Sequence, residues 1–284
     1  MKRNALLSIL VSGGLILSGC NAIENDKSTS EQNAVGTTID LTQELDAYKQ
    51  FALEQMDQFV LETEKFVTAV KNGELEEAKT IYPLARMYFE RSEPIAESFG
   101  DLDPRIDARL ADIEDEGLGE EDWSGYHKIE YGLWVENTTV GYEEIADQLL
   151  KDAKELRARV ETVDVSPDLM ITGSVDLLNE VSTSKITGEE EIYSHTDLYD
   201  FKANIEGAEK IFEILKDKIA EKDTELVNEL TDKFAAINEL LAMYEDGKGG
   251  YVSYLDLTKE DTKALSEAVN HLGEPLSQMG IIME

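Results

Sequence analysis

Apolar residues recur every three to four positions through most of this chain, as in Leu226, Leu230, Phe234, Ile237, Leu241 and Tyr244, and strand-like alternation is scarce. A chain patterned in this way must bury its apolar stripes helix against helix, so the spacing predicts an all-α protein. Stop and start signals divide it. Asn72-Gly73 closes a long first helix, Ser166-Pro167 supplies an N-cap and a first-turn proline, and Thr258 with Asp261 opens another helix. The predicted helices span about 40–71, 74–92, 104–115, 121–136, 139–163, 167–184, 196–222, 224–246 and 258–278. Their short connections make neighbours antiparallel and suit two packed bundles, roughly 39–163 and 166–284, better than one.

The N-terminus reads as an export signal. Lys2 and Arg3 precede an apolar run over 5–17 that is shorter than the roughly 20 residues a helix needs to cross a hydrocarbon core. Leu17-Ser18-Gly19-Cys20 then has the form of a bacterial lipobox, which predicts cleavage before Cys20 and lipid on that residue. Cys20 is the only cysteine, so no disulfide is available and stability must come from core burial. Residues 21–38 are polar and nearly free of large apolar side chains, as in a flexible tether, and would span on the order of 20 to 25 Å. The expected location is the outer face of a cell membrane, in the Gram-positive manner. Acidic residues number 61 against 26 basic ones, for a net charge of −35. Nucleic acid is thereby a poor partner, because phosphate binding needs clustered lysine and arginine, and cations are the natural ligands.

Three segments set ionisable side chains among aromatic and small residues. In 82–99, Glu90 and Glu93 share one helical face, with Arg86 and Arg91 as possible ion partners. In 123–134, His127 and Glu130 form an H-x-x-E pair, a spacing that lets imidazole and carboxylate chelate one metal. A core hydrogen bond between them is the structural alternative. In 193–207, Asp197 suits a helix cap, whereas Asp200, further in and beside Phe201, is the better ligand candidate; His195 reads as a loop or cap residue and His271 as structural. Several carboxylates with one imidazole suit iron, manganese or zinc rather than copper(I).

These segments carry a family resemblance. The runs ERSEPIAESFGDLDPRIDAR (90–109), GYHKIEYGLW (125–134) and YSHTDLYDF (193–201) resemble the imelysin-like EfeO/EfeM family, and the similarity extends from about residue 40 to the C-terminus. The resemblance implies two four-helix bundles with a metal site and cleft between them, and a role in capturing iron for a membrane permease that works beside a haem peroxidase. It implies His127 and Glu130 as the H-x-x-E ligands, Glu90 as a third, Asp200 and Glu93 as further candidates, and a carboxylate from Glu62 or Glu64. The long form of the family carries an N-terminal cupredoxin domain; here only the tether lies between Cys20 and the helices, as in the short EfeM form.

Two other readings compete. A zinc peptidase of the imelysin type would need a general base beside its metal-bound water, yet Lys128 and Tyr131 stand where the H-E-x-x-H and H-x-x-E-H motifs require other residues, leaving Glu90 or Glu93 for the task. A polysaccharide-binding or structural surface protein would use the His127–Glu130 pair only as a core hydrogen bond. It predicts no effect of metal on stability.

Overall fold

A computed structural model describes residues 39–283 except residue 184. The expected signal peptide, Cys20 and tether lie outside the described residues. Among the described residues there are eleven α-helices: α1 (Thr42–Asn72), α2 (Leu75–Glu90), α3 (Glu93–Ala96), α4 (Asp103–Asp107), α5 (Leu110–Asp115), α6 (Gly125–Trp134), α7 (Glu143–Thr162), α8 (Pro167–Thr183), α9 (Asp197–Ala220), α10 (Thr224–Ala242) and α11 (Lys259–Met283). Short 3-10 turns at Glu120–Asp122, Lys185–Thr187 and Tyr254–Asp256 interrupt the connections. The described residues contain no strand, only an isolated bridge between Glu245 and Tyr251.

The long helices build two four-helix bundles, each with its own core. α1, α2, α6 and α7 enclose the first core around Met56, Phe59, Phe66, Tyr82, Tyr126 and Leu156. α8 to α11 enclose the second around Phe201, Ile211, Phe234, Leu272 and Met279, and Leu41, just before α1, and Tyr48, near its start, add to it. Their apolar residues fall on single helical stripes, and burying them removes the large aromatic and aliphatic surface that drives folding. α1 ends as its sequence signals: Gly73 takes φ 79°, its N–H donates to Val70 O, and that of Glu74 donates to Ala69 O.

The helix expected over 74–92 is α2, which stops at Glu90, and Pro94 opens the separate turn α3. One helix expected to be continuous is broken, and the break lies beside the polar centre. The stretch expected over 104–115 turns extended at Ala108 and Arg109, where Ala108 O accepts the Trp123 indole N–H at 2.7 Å and Arg105 O accepts the Ser124 hydroxyl at 3.0 Å. These side-chain donors replace the helical hydrogen bonds that a continuous backbone would have made. At the other end of the chain, α11 runs on to Met283 through Pro275, beyond the expected stop. Its buried stripe of Leu272, Leu276, Met279 and Met283 favours continuation over the proline's cost.

Candidate metal centre

α2 presents Tyr82, Arg86 and Glu90 on one face, four residues apart, towards α4, α6, the start of α9 and the segment 188–196 that leads into it. Arg86 is fully buried and ties these elements together. Its Nε lies 2.6 Å from Glu191 as an ion pair and donates to Asp200 at 3.4 Å, Nη2 donates to Glu90 at 2.7 Å and to Asp200 at 3.3 Å, and Nη1 donates to Asp107. Because guanidinium is planar and permanently charged, one side chain can serve carboxylates on several elements at once. Lys185 is the second buried cation. Its Nζ lies 2.7 Å from Glu90, 3.2 Å from Glu93 and 3.7 Å from Glu190. The amide of Asn204, on α9, donates to both Glu90 at 3.0 Å and Glu93 at 2.8 Å.

His127 sits between these charges. On one side its Nδ1 is 3.1 Å from Glu130 and 3.5 Å from the Tyr82 hydroxyl. Its Nε2 is buried without a hydrogen-bond partner and lies 3.7 Å from Asp107. Glu130 is held from the far side as well, its Oε1 accepting the backbone N–H groups of Tyr193 at 3.1 Å and Ser194 at 2.7 Å. Two sets of ligand atoms converge on the ring, Asp107 with Glu190 and Glu130 with Glu191, each set lying within 4.8 Å of the imidazole donor. Gly125 makes the approach of α4 to α6 possible. It takes φ +82°, and a Cβ there would stand 2.3 Å from Ile106 O.

The electrostatics leave this centre short of positive charge. Burial, aided by Arg86, pushes the imidazole of His127 down to about 4, so the ring is neutral and able to ligate near neutral pH. For Glu90, burial alone would raise the carboxyl, but Lys185 and Arg86 overcome it and hold the group at about 2. Elsewhere burial wins. Glu130 is pushed up to about 7, and Glu191, Asp200 and Glu93 stand well above the usual carboxylate range. Carboxyls that hold protons in this way gain by exchanging them for a further cation. A pocket of about 180 Å³, lined by Glu93, Glu97, Asp103, Asp107, Glu180 and Glu190, reaches three members of the centre, Glu93, Asp107 and Glu190.

A family model for imelysin matches residues 44–279. An "Efem/EfeO family lipoprotein" of Staphylococcus haemolyticus is 52% identical over 294 residues, covering all of both chains. A protein of the same name from Staphylococcus aureus strain MSSA476 is 54% identical over 253 residues, covering 88% of each. The chain belongs to the Efem/EfeO family and carries an imelysin domain.

Within this Efem/EfeO chain the residues expected at the site occupy different positions. His127 and Glu130 are in contact, as their spacing requires. Glu90 and Glu93 gather instead around Lys185, and Asp200 bonds Arg86 through one oxygen while the other is buried without a partner. Glu62 and Glu64 point to the surface of α1, where Lys65 and Lys154 are their partners. Asp197 does not cap α9; its Oδ1 accepts the Glu191 N–H at 3.1 Å and so holds the segment carrying Glu190 and Glu191. His195 lies just before α9 with φ 59°, and His271 is exposed on α11.

Asp107, Glu190, Glu191, Arg86 and Lys185 complete the centre. Asp107 lies inside a run already quoted for its family likeness, and Glu190-Glu191 within an acidic triplet, 189–191, that reads as solvated surface. Among the described residues no helix is long and apolar enough to cross a membrane. The two relatives described above are named as lipoproteins.

Proposed function

We propose that this protein is a membrane-tethered, extracytoplasmic binding protein that captures iron and passes it to a permease of the Efe type, with a haem peroxidase as the third component. The observation that carries this reading is the His127 Nε2 atom: buried, unpartnered, and converging with Asp107 and Glu190 on one small volume. Buried polar atoms are seldom left without a partner, and an imidazole nitrogen flanked by two carboxylates is a hard-to-borderline donor set that suits iron(II), iron(III), manganese(II) or zinc(II). His127, Asp107 and Glu190 hold the cargo ion in this reading. Glu130 orients the imidazole through Nδ1–H, as outer-shell carboxylates commonly do for metal-binding histidines.

Binding rather than peptidase chemistry is the reading favoured here. Both oxygens of Glu130 are engaged, by His127 and by two backbone N–H groups, so it is poorly placed as the general base for a metal-bound water. The pocket of about 180 Å³ admits a hydrated ion more readily than a polypeptide. The chain from Thr38 onward forms a compact unit suitable for testing. Anaerobic titration of that unit with iron(II), followed by bound metal and melting temperature, is expected to show saturable binding that stabilises the fold and disappears in His127→Ala. No binding by the parent would sink the proposal.

A further inference from the structure

The acid cluster beside His127 already contains a cation. Lys185 is 1% exposed, and its ammonium lies 2.7 Å from Glu90, 3.2 Å from both oxygens of Glu93 and 3.7 Å from Glu190. Asn204 fixes the geometry from α9 by donating to Glu90 and Glu93 together, so these carboxylates are drawn inward around a single point. Glu190 belongs equally to the group that converges on His127 Nε2. Glu93 and Glu190 also line the pocket that opens to solvent, so an arriving cation meets carboxylates that Lys185 holds.

Arg86 and Lys185 are unlike in this setting. The guanidinium bonds side chains from α2, α4, α9 and the segment before α9 through three different nitrogens, a cross-link that a point charge cannot replace. The lysine presents a compact charge on a flexible stem, in the manner of a bound ion.

We propose that Lys185 is a tethered surrogate cation: its ammonium draws Glu90, Glu93 and Glu190 inward while the protein is empty, and the cargo ion, held by His127, Asp107 and Glu190, binds by displacing it from Glu190, the carboxylate that both cations share. The inference rests on the metal-capture reading above. It assigns to Lys185 the setting of affinity and a means of release, because the returning ammonium competes with the ion. Without this internal competitor the buried carboxylates would be left uncompensated in the empty protein, and a metal ion would recover that loss on binding.

The test compares the parent unit from Thr38 onward with Lys185→Met, an uncharged replacement of similar length, by calorimetric titration with manganese(II) and, anaerobically, with iron(II). Lys185→Met is expected to bind more tightly by on the order of tenfold or more, at 1.4 kcal/mol per factor of ten. Its empty form is expected to melt lower than the parent. Tight binding by the parent that Lys185→Met leaves unchanged or weakens overturns this inference and leaves the metal-capture reading intact. Failure of parent and variant alike overturns both. Should Lys185→Met not fold without metal, a crystal structure of the manganese-loaded parent decides: Lys185 withdrawn from Glu190 upholds the proposal, and Lys185 still seated against it overturns it.

Discussion

The Nδ1 atom of His127 lies 3.1 Å from a Glu130 carboxylate oxygen, and this contact turns the other ring nitrogen, Nε2, towards Asp107. In the metal-capture reading this contact makes Glu130 the orienter of a ligand, and a chelate by both residues is the alternative. The two roles separate in mutants. His127→Ala and Asp107→Asn are expected to lose saturable metal binding, whereas Glu130→Gln, which keeps an acceptor for the ring N–H, weakens it by about 10- to 100-fold. Titration calorimetry checks this. Equal loss in Glu130→Gln and His127→Ala would instead make Glu130 a direct ligand.

Arg86 bonds Glu90, Asp107, Glu191 and Asp200 from within the protein, so its removal leaves several buried carboxylates without their counter-charge. Arg86→Met is expected to lower stability by about 3–5 kcal/mol, the usual effect of breaking a buried pair from one side. Urea unfolding of the metal-free unit measures it. A loss below about 1 kcal/mol would mean that protonation of Glu191 and Asp200 already relieves the imbalance.

The bundles were legible in the sequence because apolar spacing and chain-stopping residues are local signals. Leu226, Leu230, Phe234, Ile237 and Leu241 all fall in the second core, and Gly73 ends α1 where expected. The polar centre was legible at His127 and Glu130, which share a helix, and at Glu90, Glu93 and Asp200, which stand among aromatic and small residues. Asp107 reaches it from α4, and Lys185 and Glu190 from the run 185–190, and their partners His127, Glu90 and Glu93 are distant in sequence. Nothing in the run 184–191 distinguishes a lysine buried among acids from one on a solvated loop. The break at Ala108 was equally hidden, since it depends on donors from Trp123 and Ser124.

The metal-free protein is expected to lose stability as pH rises towards the alkaline side. Burial raises Glu130 and Asp103 to about 7 in the folded chain, and Glu180 likewise, so between about pH 4.5 and pH 7 the folded state holds protons that the unfolded state has released. Stability therefore falls as pH rises through that window. His127, depressed to about 4, acts in the opposite sense, since the unfolded chain takes up its proton as pH falls from about 6.5. With the raised carboxyls prevailing, melting temperature should be lower at about pH 8 than at about pH 6, and Asp103→Asn should flatten the slope. Saturating manganese(II) should abolish the fall at about pH 8, which differential scanning calorimetry can read directly. A melting temperature that rises with pH would show that the carboxyls are not held protonated.

Gly125 sets the position of a candidate ligand without supplying a donor atom itself. Its φ of +82° suits glycine, and any Cβ would meet Ile106 O at 2.3 Å and Arg105 O at 2.8 Å, backbone atoms that cannot rotate aside. Asp107 follows Ile106 directly, and His127 stands two residues after Gly125, so this contact sets the 3.7 Å separation of Asp107 from His127 Nε2. Gly125→Ala must push α4 away from α6 or twist the first turn of α6, at a cost of about 1–3 kcal/mol for the strained backbone. Because the displacement acts on the ligand pair, metal affinity should fall together with stability, even though no donor atom is lost. Parallel urea unfolding and manganese(II) titration of Gly125→Ala test this: a destabilised variant that keeps the parent's affinity would separate the packing of α4 from the metal centre and exclude Asp107 as a ligand whose position matters.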